Sequence, residues 1–249
     1  MLPSASTEPL STTARRASPP RVAAAAAMHT DRGRVRPRNE DAALLGTNVF
    51  AVADGVGGNH AGDVAARIAT AVLSARAAHA TGALQLRAAA LDAHRAVARA
   101  GAADPALAGM ATTLTAMLLC EGRVAVAHVG DSRAYRLRNG RLERMTADHT
   151  AAEWLAARGR VRVEAWQHTL VRALGRTGGD RPDVGVHDAR PGDAWLLCSD
   201  GLTDQVPESR LLASFQRAPS LPDATRALVA LANEAGGRDN VTVVAVLLR

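Results

Sequence analysis

From about residue 21 to 248 the chain alternates two kinds of apolar pattern. Short runs rich in Val, Ala, Leu and Cys have strand length: Val22–Met28, Ala43–Leu45, Val49–Ala53, Thr113–Cys120, Val124–Val129, Ala134–Arg138, Leu142–Met145, Ala194–Cys198 and Val241–Leu248. Asn139-Gly140 between two of them is a two-residue hairpin signal, because both residues tolerate the positive φ such a turn needs. Elsewhere apolar residues return every three or four positions, the period of a helix with one buried face. Gly62–Ala80 places Val64, Ile68, Val72 and Leu73 on one side, and Ala83–Ala100 does the same with Leu84, Ala88, Leu91, His94 and Ala98. His94 on that stripe is expected as a packed imidazole. Further helices are predicted at Ala151–Arg158, Glu208–Arg217 and Pro222–Ala235, the last opening with Pro in its first turn. Strands in series with paired helices between them predict an α+β fold of layered antiparallel sheets, not alternating β-α units.

Residues 1–20 are Ser, Thr, Ala, Pro and Arg without period and are expected to form a disordered tail ahead of one domain, 21–249. Arg15, Arg16 and Arg21 precede Val22–Met28, but five of those seven residues are Ala, too weak an apolar core for an export signal. No stretch approaches the ~18 apolar residues of a membrane span. Cys120 and Cys198 are too few for a disulfide framework and are expected as buried free thiols in a reducing, cytoplasmic setting. The net charge of +6 comes from a chain whose 30 basic residues are all Arg. Charge alone would suggest nucleic acid, yet aromatic residues make up only 2%, leaving few platforms for stacking bases. Nucleic acid and membrane are therefore not expected as partners, and the absence of heptads favours a monomer.

The chemistry lies in carboxylates set beside glycine or at strand ends: Asn39-Glu40-Asp41, Asp54-Gly55-Val56-Gly57-Gly58, Gly130-Asp131-Ser132-Arg133, Ser199-Asp200-Gly201 and Arg238-Asp239-Asn240. Each alone is ordinary turn chemistry. Together, several follow an apolar run that would aim the carboxylate from a sheet edge toward a common point. Clustered carboxylates repel unless cations join them, and an all-oxygen set suits Mg2+ or Mn2+ over Zn2+. Glycine beside a ligand lets a carbonyl or water approach the ion.

In order along the chain, Asp31-Arg32-Gly33 through Arg36 to Asn39-Glu40-Asp41, Asp54-Gly55-Val56-Gly57-Gly58, Gly130-Asp131-Ser132-Arg133-Ala134-Tyr135, Asp148-His149-Thr150, Arg172-Ala173-Leu174-Gly175, Ser199-Asp200-Gly201-Leu202-Thr203-Asp204 and Asp239-Asn240-Val241-Thr242 resemble the metal-dependent protein phosphatases, the PPM or type 2C family. The likeness is greatest to the compact bacterial serine/threonine phosphatases. The resemblance implies a four-layer α/β/β/α sandwich of two antiparallel sheets flanked by helix pairs. It implies hydrolysis of phosphoserine and phosphothreonine by a water or hydroxide bridging two Mn2+ or Mg2+ ions. Asp54 would bridge the ions, Asp200 and Asp239 complete the first, and Glu40 with the Gly55 carbonyl hold the second. Asp131, shared with Asp200, would hold a third. Asp41 would hydrogen-bond a metal-bound water, and Arg36 would clamp the phosphate. Phosphorylated proteins are the implied substrates and a serine/threonine kinase of the same cell the implied counterpart. The alternatives are a non-catalytic pseudophosphatase that binds phosphoproteins and a hydrolase of small phosphoesters.

Some positions depart from the family pattern. Asn59 stands where bacterial relatives often carry His, with His60 next to it; the general acid is either His60 or a metal-bound water, with His60 then a surface imidazole. Ala111 replaces a usual Gly. The flap segment, about 150–171, is short and basic and lacks a proline before Arg172-Ala173-Leu174-Gly175. Thr112-Thr113 and Asn240-Val241-Thr242 are expected to be structural, and Arg133 to pair with a carboxylate that holds the Asp131 loop.

Overall fold

A computed structural model describes residues 24–56, 61–176 and 181–249. The expected tail at 1–20 and the candidate acid His60 lie outside these residues. Two five-stranded antiparallel sheets form the centre. The first takes the order β1 (Ala24–Asp31), β12 (Val241–Leu248), β11 (Ala194–Cys198), β8 (Arg133–Arg138) and β9 (Arg141–Arg144). The second runs β10 (Asp183–Asp188), β7 (Arg123–Val129), β6 (Leu114–Cys120), β3 (Val49–Ala53) and β2 (Ala42–Leu45), with a two-residue pair β4 (Gly55–Val56) and β5 (Ala111–Thr112) at its end.

The period-two alternation of the strands decides the layering. In β3, Val49, Ala51 and Ala53 pack under the helix pair α1 (Gly62–Ala77) and α2 (Ala83–Ala103), while Phe50 and Val52 point at the other sheet. In β12, Val241, Val243 and Ala245 pack under α5 (Glu208–Arg217) and α6 (Leu221–Glu234), while Val244, Val246 and Leu248 meet Phe50 and Val52 between the sheets. Trp195, fully buried, fills that central layer. The result is the expected four-layer sandwich. Against the second sheet the helices present Ala65, Ala66, Ala69, Ala89, Ala90 and Ala93, small side chains that let the backbones approach. No helix among the described residues is long and apolar enough to cross a membrane.

Asn139 and Gly140 take φ of 50° and 75°, the turn their sequence predicts between β8 and β9. Ser220 caps α6, accepting from the Asp223 N–H, with Pro222 in the first turn. The first strand runs on to Asp31, past the expected end at Met28, because all of it pairs with β12. β10 was not predicted, nor was the single turn α4 (Asp200–Thr203). Cys198 is buried as expected; Cys120, at the end of β6, is only half-buried, because the strand is already leaving the core there. The segment expected as a flap contains α3 (Ala151–Ala156), capped by Thr150, and its two ends are bridged at Thr150 and Leu170.

Candidate active site

Strand ends and loops at one end of the sandwich surround a cleft of about 880 Å3. Arg36, Glu40, Asp54, Gly55, Asp131, Asp200 and Asp239 all line it, seven of the eight residues singled out in the sequence. The eighth, Asp41, is not in the lining; it accepts a hydrogen bond from Ser199 Oγ at 2.8 Å.

Each acid is delivered by a different element, and Asp54, the Glu40 backbone and the Asp131 loop are steadied by uncharged neighbours. Asp54 follows β3; its N–H donates to Thr113 Oγ1 at 2.9 Å, and its carbonyl accepts from Thr113 N–H and Thr112 Oγ1. Gly55 comes next, where a Cβ would stand 2.7 Å from the Glu40 carbonyl, so only glycine allows the two chains this approach. Glu40 ends a loop from β1 whose shape depends on Asn240. The Asn240 amide accepts from Glu40 N–H and donates to the Arg32 and Arg38 carbonyls at 2.8 and 2.9 Å. Asp131 follows Gly130, whose φ of +112° is strained for other residues, and Ser132 bonds Thr113 Oγ1 at 2.7 Å. Arg133 forms the expected pair, a forked contact with Asp148 at 2.7–3.2 Å, and Arg144 joins Asp148 as well. Asp200 opens α4.

The electrostatics are those of carboxylates crowded together. Burial, then the charges of Asp41, Asp200, Asp131 and Asp239, push Asp54 well above the ordinary carboxylate range. Burial, then Asp131, Asp204, Asp239 and Asp41, do the same to Asp200. Burial and Asp148 raise Asp131 to about 7, and Asp41 rises to about 6 mainly through burial. Asp41 Oδ1 is buried with no partner among the described residues. Repelling carboxylates with an orphaned oxygen and no Cys in the lining are a donor set that fits hard divalent cations.

Two placements differ from the sequence reading. Asp239 turns to Arg36, 2.6 Å away, so the expected phosphate clamp here holds a carboxylate. Among the described residues, the side chains whose ligand atoms gather within 4.8 Å of one another are His168, Asp200 and Asp204. His168, from the flap, also bonds Asp204 at 3.1 Å. Asp204 had a sequence signal, four residues after Asp200 and thus on the same side of a helical turn; His168 had none. His94, expected to pack, accepts from Gly175 N–H at 3.1 Å.

The sequence profile of protein phosphatase 2C matches residues 31–239, and the chain belongs to that family. The serine/threonine protein phosphatase PstP of Mycobacterium tuberculosis H37Rv is 40% identical over 227 residues, 88% of this chain but 44% of that protein. The chain therefore spans less than half the length of that relative. The serine/threonine phosphatase stp of Listeria monocytogenes EGD-e is 36% identical over 238 residues, 89% of this chain and 94% of that one. Among solved structures, the catalytic domain of PstP in complex with two manganese ions superposes with a TM-score of 0.84 at 38% identity, covering 91% of this chain and 99% of that one.

Proposed function

We propose that this chain is a Mn2+- or Mg2+-dependent protein phosphatase that removes phosphate from phosphoserine and phosphothreonine. The observation that carries the reading is the convergence of Asp54, Asp131, Asp200 and Asp239 on one cleft whose mouth holds the Arg36 guanidinium. Asp54, Asp200 and Asp239 would hold one ion, Glu40 and the Gly55 carbonyl with Asp54 a second, and Asp131 with Asp200 a third. Bound there, such ions make water acidic enough to ionise near neutral pH and screen the charge of a phosphoryl group. The remaining work falls to the chain. Arg36 offers a planar fork matched to two phosphoryl oxygens. Asp41 Oδ1, free while its other oxygen holds Ser199, accepts a water hydrogen and so orients it. The basic flap, with Arg158, Arg160 and Arg162, draws phosphorylated acidic segments to the cleft.

Phosphoproteins are the substrates in this reading, and a serine/threonine kinase acting on them is the counterpart. The protein works as a monomer in the cytoplasm, where its two free thiols stay reduced. Residues 150–171 act as the flap of a single domain, 21–249. A pseudophosphatase would be expected to have lost one of Asp54, Asp200 or Asp239; all three are present.

The test is phosphate release from a phosphothreonine peptide with Mn2+, with EDTA, and from Asp200→Asn in Mn2+. Release that needs metal and vanishes in the variant is the expected result. No release by the folded wild type under any condition favours the pseudophosphatase, and release in EDTA overturns the mechanism.

A further inference from the structure

Outside the cleft lining, His149 is tied to the catalytic loop more tightly than packing requires. It is buried and packs against His128 with 4.7 Å between ring centres and the rings tilted by 41°. It grips Gly130, the residue before Asp131, from two sides. The His149 backbone N–H donates to the Gly130 carbonyl at 2.7 Å, and the Gly130 N–H donates to His149 Nδ1 at 3.1 Å. An accepting Nδ1 places the ring proton on Nε2, which donates to Asp183 Oδ2 at 2.9 Å. Arg172 Nη1 holds the other Asp183 oxygen at 2.8 Å. The same residue joins the flap: its carbonyl accepts from Val171 N–H at 2.8 Å, and the next residue, Thr150, bridges to Leu170.

We infer that His149 is a positioning residue for the reaction. The chain Arg172–Asp183–His149–Gly130 fixes the Asp131 backbone in the cleft and ties it to both ends of the flap. Gly130 needs such a grip, since its φ of +112° leaves its N–H and carbonyl outside any strand ladder. A merely packed imidazole would need no acceptor aimed at that N–H and no carboxylate behind it. The inference rests on the phosphatase reading for its kinetic consequence, but not for its geometry.

The experiment compares the full-length wild type with His149→Asn and His149→Gln. An Asn oxygen falls where Nδ1 lies and can still accept from Gly130; a Gln amide falls near Nε2 and cannot. Hydrogen exchange at the Gly130 N–H is measured by NMR, together with half-activation by Mn2+ and KM for a phosphothreonine peptide. The expected result is near-wild-type protection in His149→Asn, and exchange about tenfold faster or more in His149→Gln, the loss of one buried hydrogen bond. Half-activation by Mn2+ shifts upward by a similar factor in His149→Gln alone, with KM little changed. Equal protection in the two variants, or better protection in His149→Gln, overturns the inference. Should His149→Gln not fold, the imidazole 15N shifts of the wild type decide: an Nδ1–H tautomer overturns the grip, an Nε2–H tautomer with a bare Nδ1 supports it. A wild type without activity would sink the phosphatase reading while the exchange data still judged the grip.

Discussion

Asn240 offers the sharpest test of how the site is assembled. The residue is 5% exposed, and its side chain makes three hydrogen bonds, all to backbone of the loop that carries Arg36 and Glu40, about 200 residues away in sequence. Asn240→Asp keeps the shape and keeps an acceptor for the Glu40 N–H. It replaces the amide that serves the Arg32 and Arg38 carbonyls with an oxygen, so two attractions become two repulsions. Two lost bonds at about 1 kcal/mol each, plus a desolvation penalty for acceptors left without a donor, sum to roughly 2–4 kcal/mol. For a domain of this size that lowers Tm by about 5–15 °C. The introduced carboxyl regains a donor when protonated, so the deficit should shrink as pH falls from 8 to 5. Circular dichroism melts and urea titrations at both pH values read the effect, and kcat/KM should fall with the loosened loop. A Tm within ~2 °C of wild type at pH 8 would refute the idea that Asn240 holds the loop in place.

His128 is fully buried, with Nδ1 2.9 Å from Thr115 Oγ1 and Nε2 3.1 Å from the Ala147 carbonyl, and burial lowers its pKa from 6.5 to about 3. The unfolded chain therefore binds a proton between those values that the folded chain refuses, so His128 makes stability rise with pH across that window; moving from pH 7.5 to 5.5 should remove about 1.4 kcal/mol more from wild type than from His128→Gln, measured by urea unfolding. Gly130→Ala would place a Cβ 2.6 Å from Thr113 Cβ and Cγ2 at a positive φ, and should destabilise by about 3 kcal/mol or more, with loss of activity; a fall in urea midpoint too small to resolve would contradict the contact. Arg36→Ala should weaken competitive inhibition by inorganic phosphate and raise KM for the phosphopeptide by about tenfold or more, while Mn2+ binding by calorimetry persists; unchanged KM would remove Arg36 from the clamp.

The fold was legible where burial is two-sided. β12 reads Val-Thr-Val-Val-Ala-Val-Leu-Leu because one face meets α5 and α6 and the other meets the opposite sheet. β10 was not legible, because it is an edge strand with Asp183, His187 and Asp188 among its six residues and Val186 exposed; only its pairing with β7 makes it a strand. α4 is a single turn, too short to show a period. Of the site, the acids announced themselves through glycine neighbours and strand ends, and five of them, with Gly55 and Arg36, reach the cleft. The turn of Arg36 onto Asp239 had no sequence signal, since it joins residues 203 positions apart. Nor did the His149 group, whose partners Gly130, Arg172 and Asp183 lie 19, 23 and 34 residues away. Such contacts follow from the closing of the sandwich, not from any local pattern.

What steadies the acids is as informative as the acids. Thr112 and Thr113 hold Asp54, Ser199 holds Asp41, Asn240 holds the Glu40 backbone, and His149, kept neutral by burial, holds the Gly130–Asp131 turn. None carries a charge. A cation at any of these positions would neutralise its carboxylate and compete with a metal ion, whereas a hydroxyl, an amide or a neutral imidazole fixes direction and leaves the negative charge in place. Arg133 lines the cleft too, but its guanidinium, with that of Arg144, braces Asp148. The exception is Arg36 on Asp239, and its setting explains why it is tolerated. Both side chains are open to solvent, 54% and 34% exposed, where an ion pair contributes no more than about 1 kcal/mol. A bond that weak can be given up at little cost, so on the phosphatase reading proposed above Arg36 would exchange Asp239 for a phosphoryl group entering the cleft.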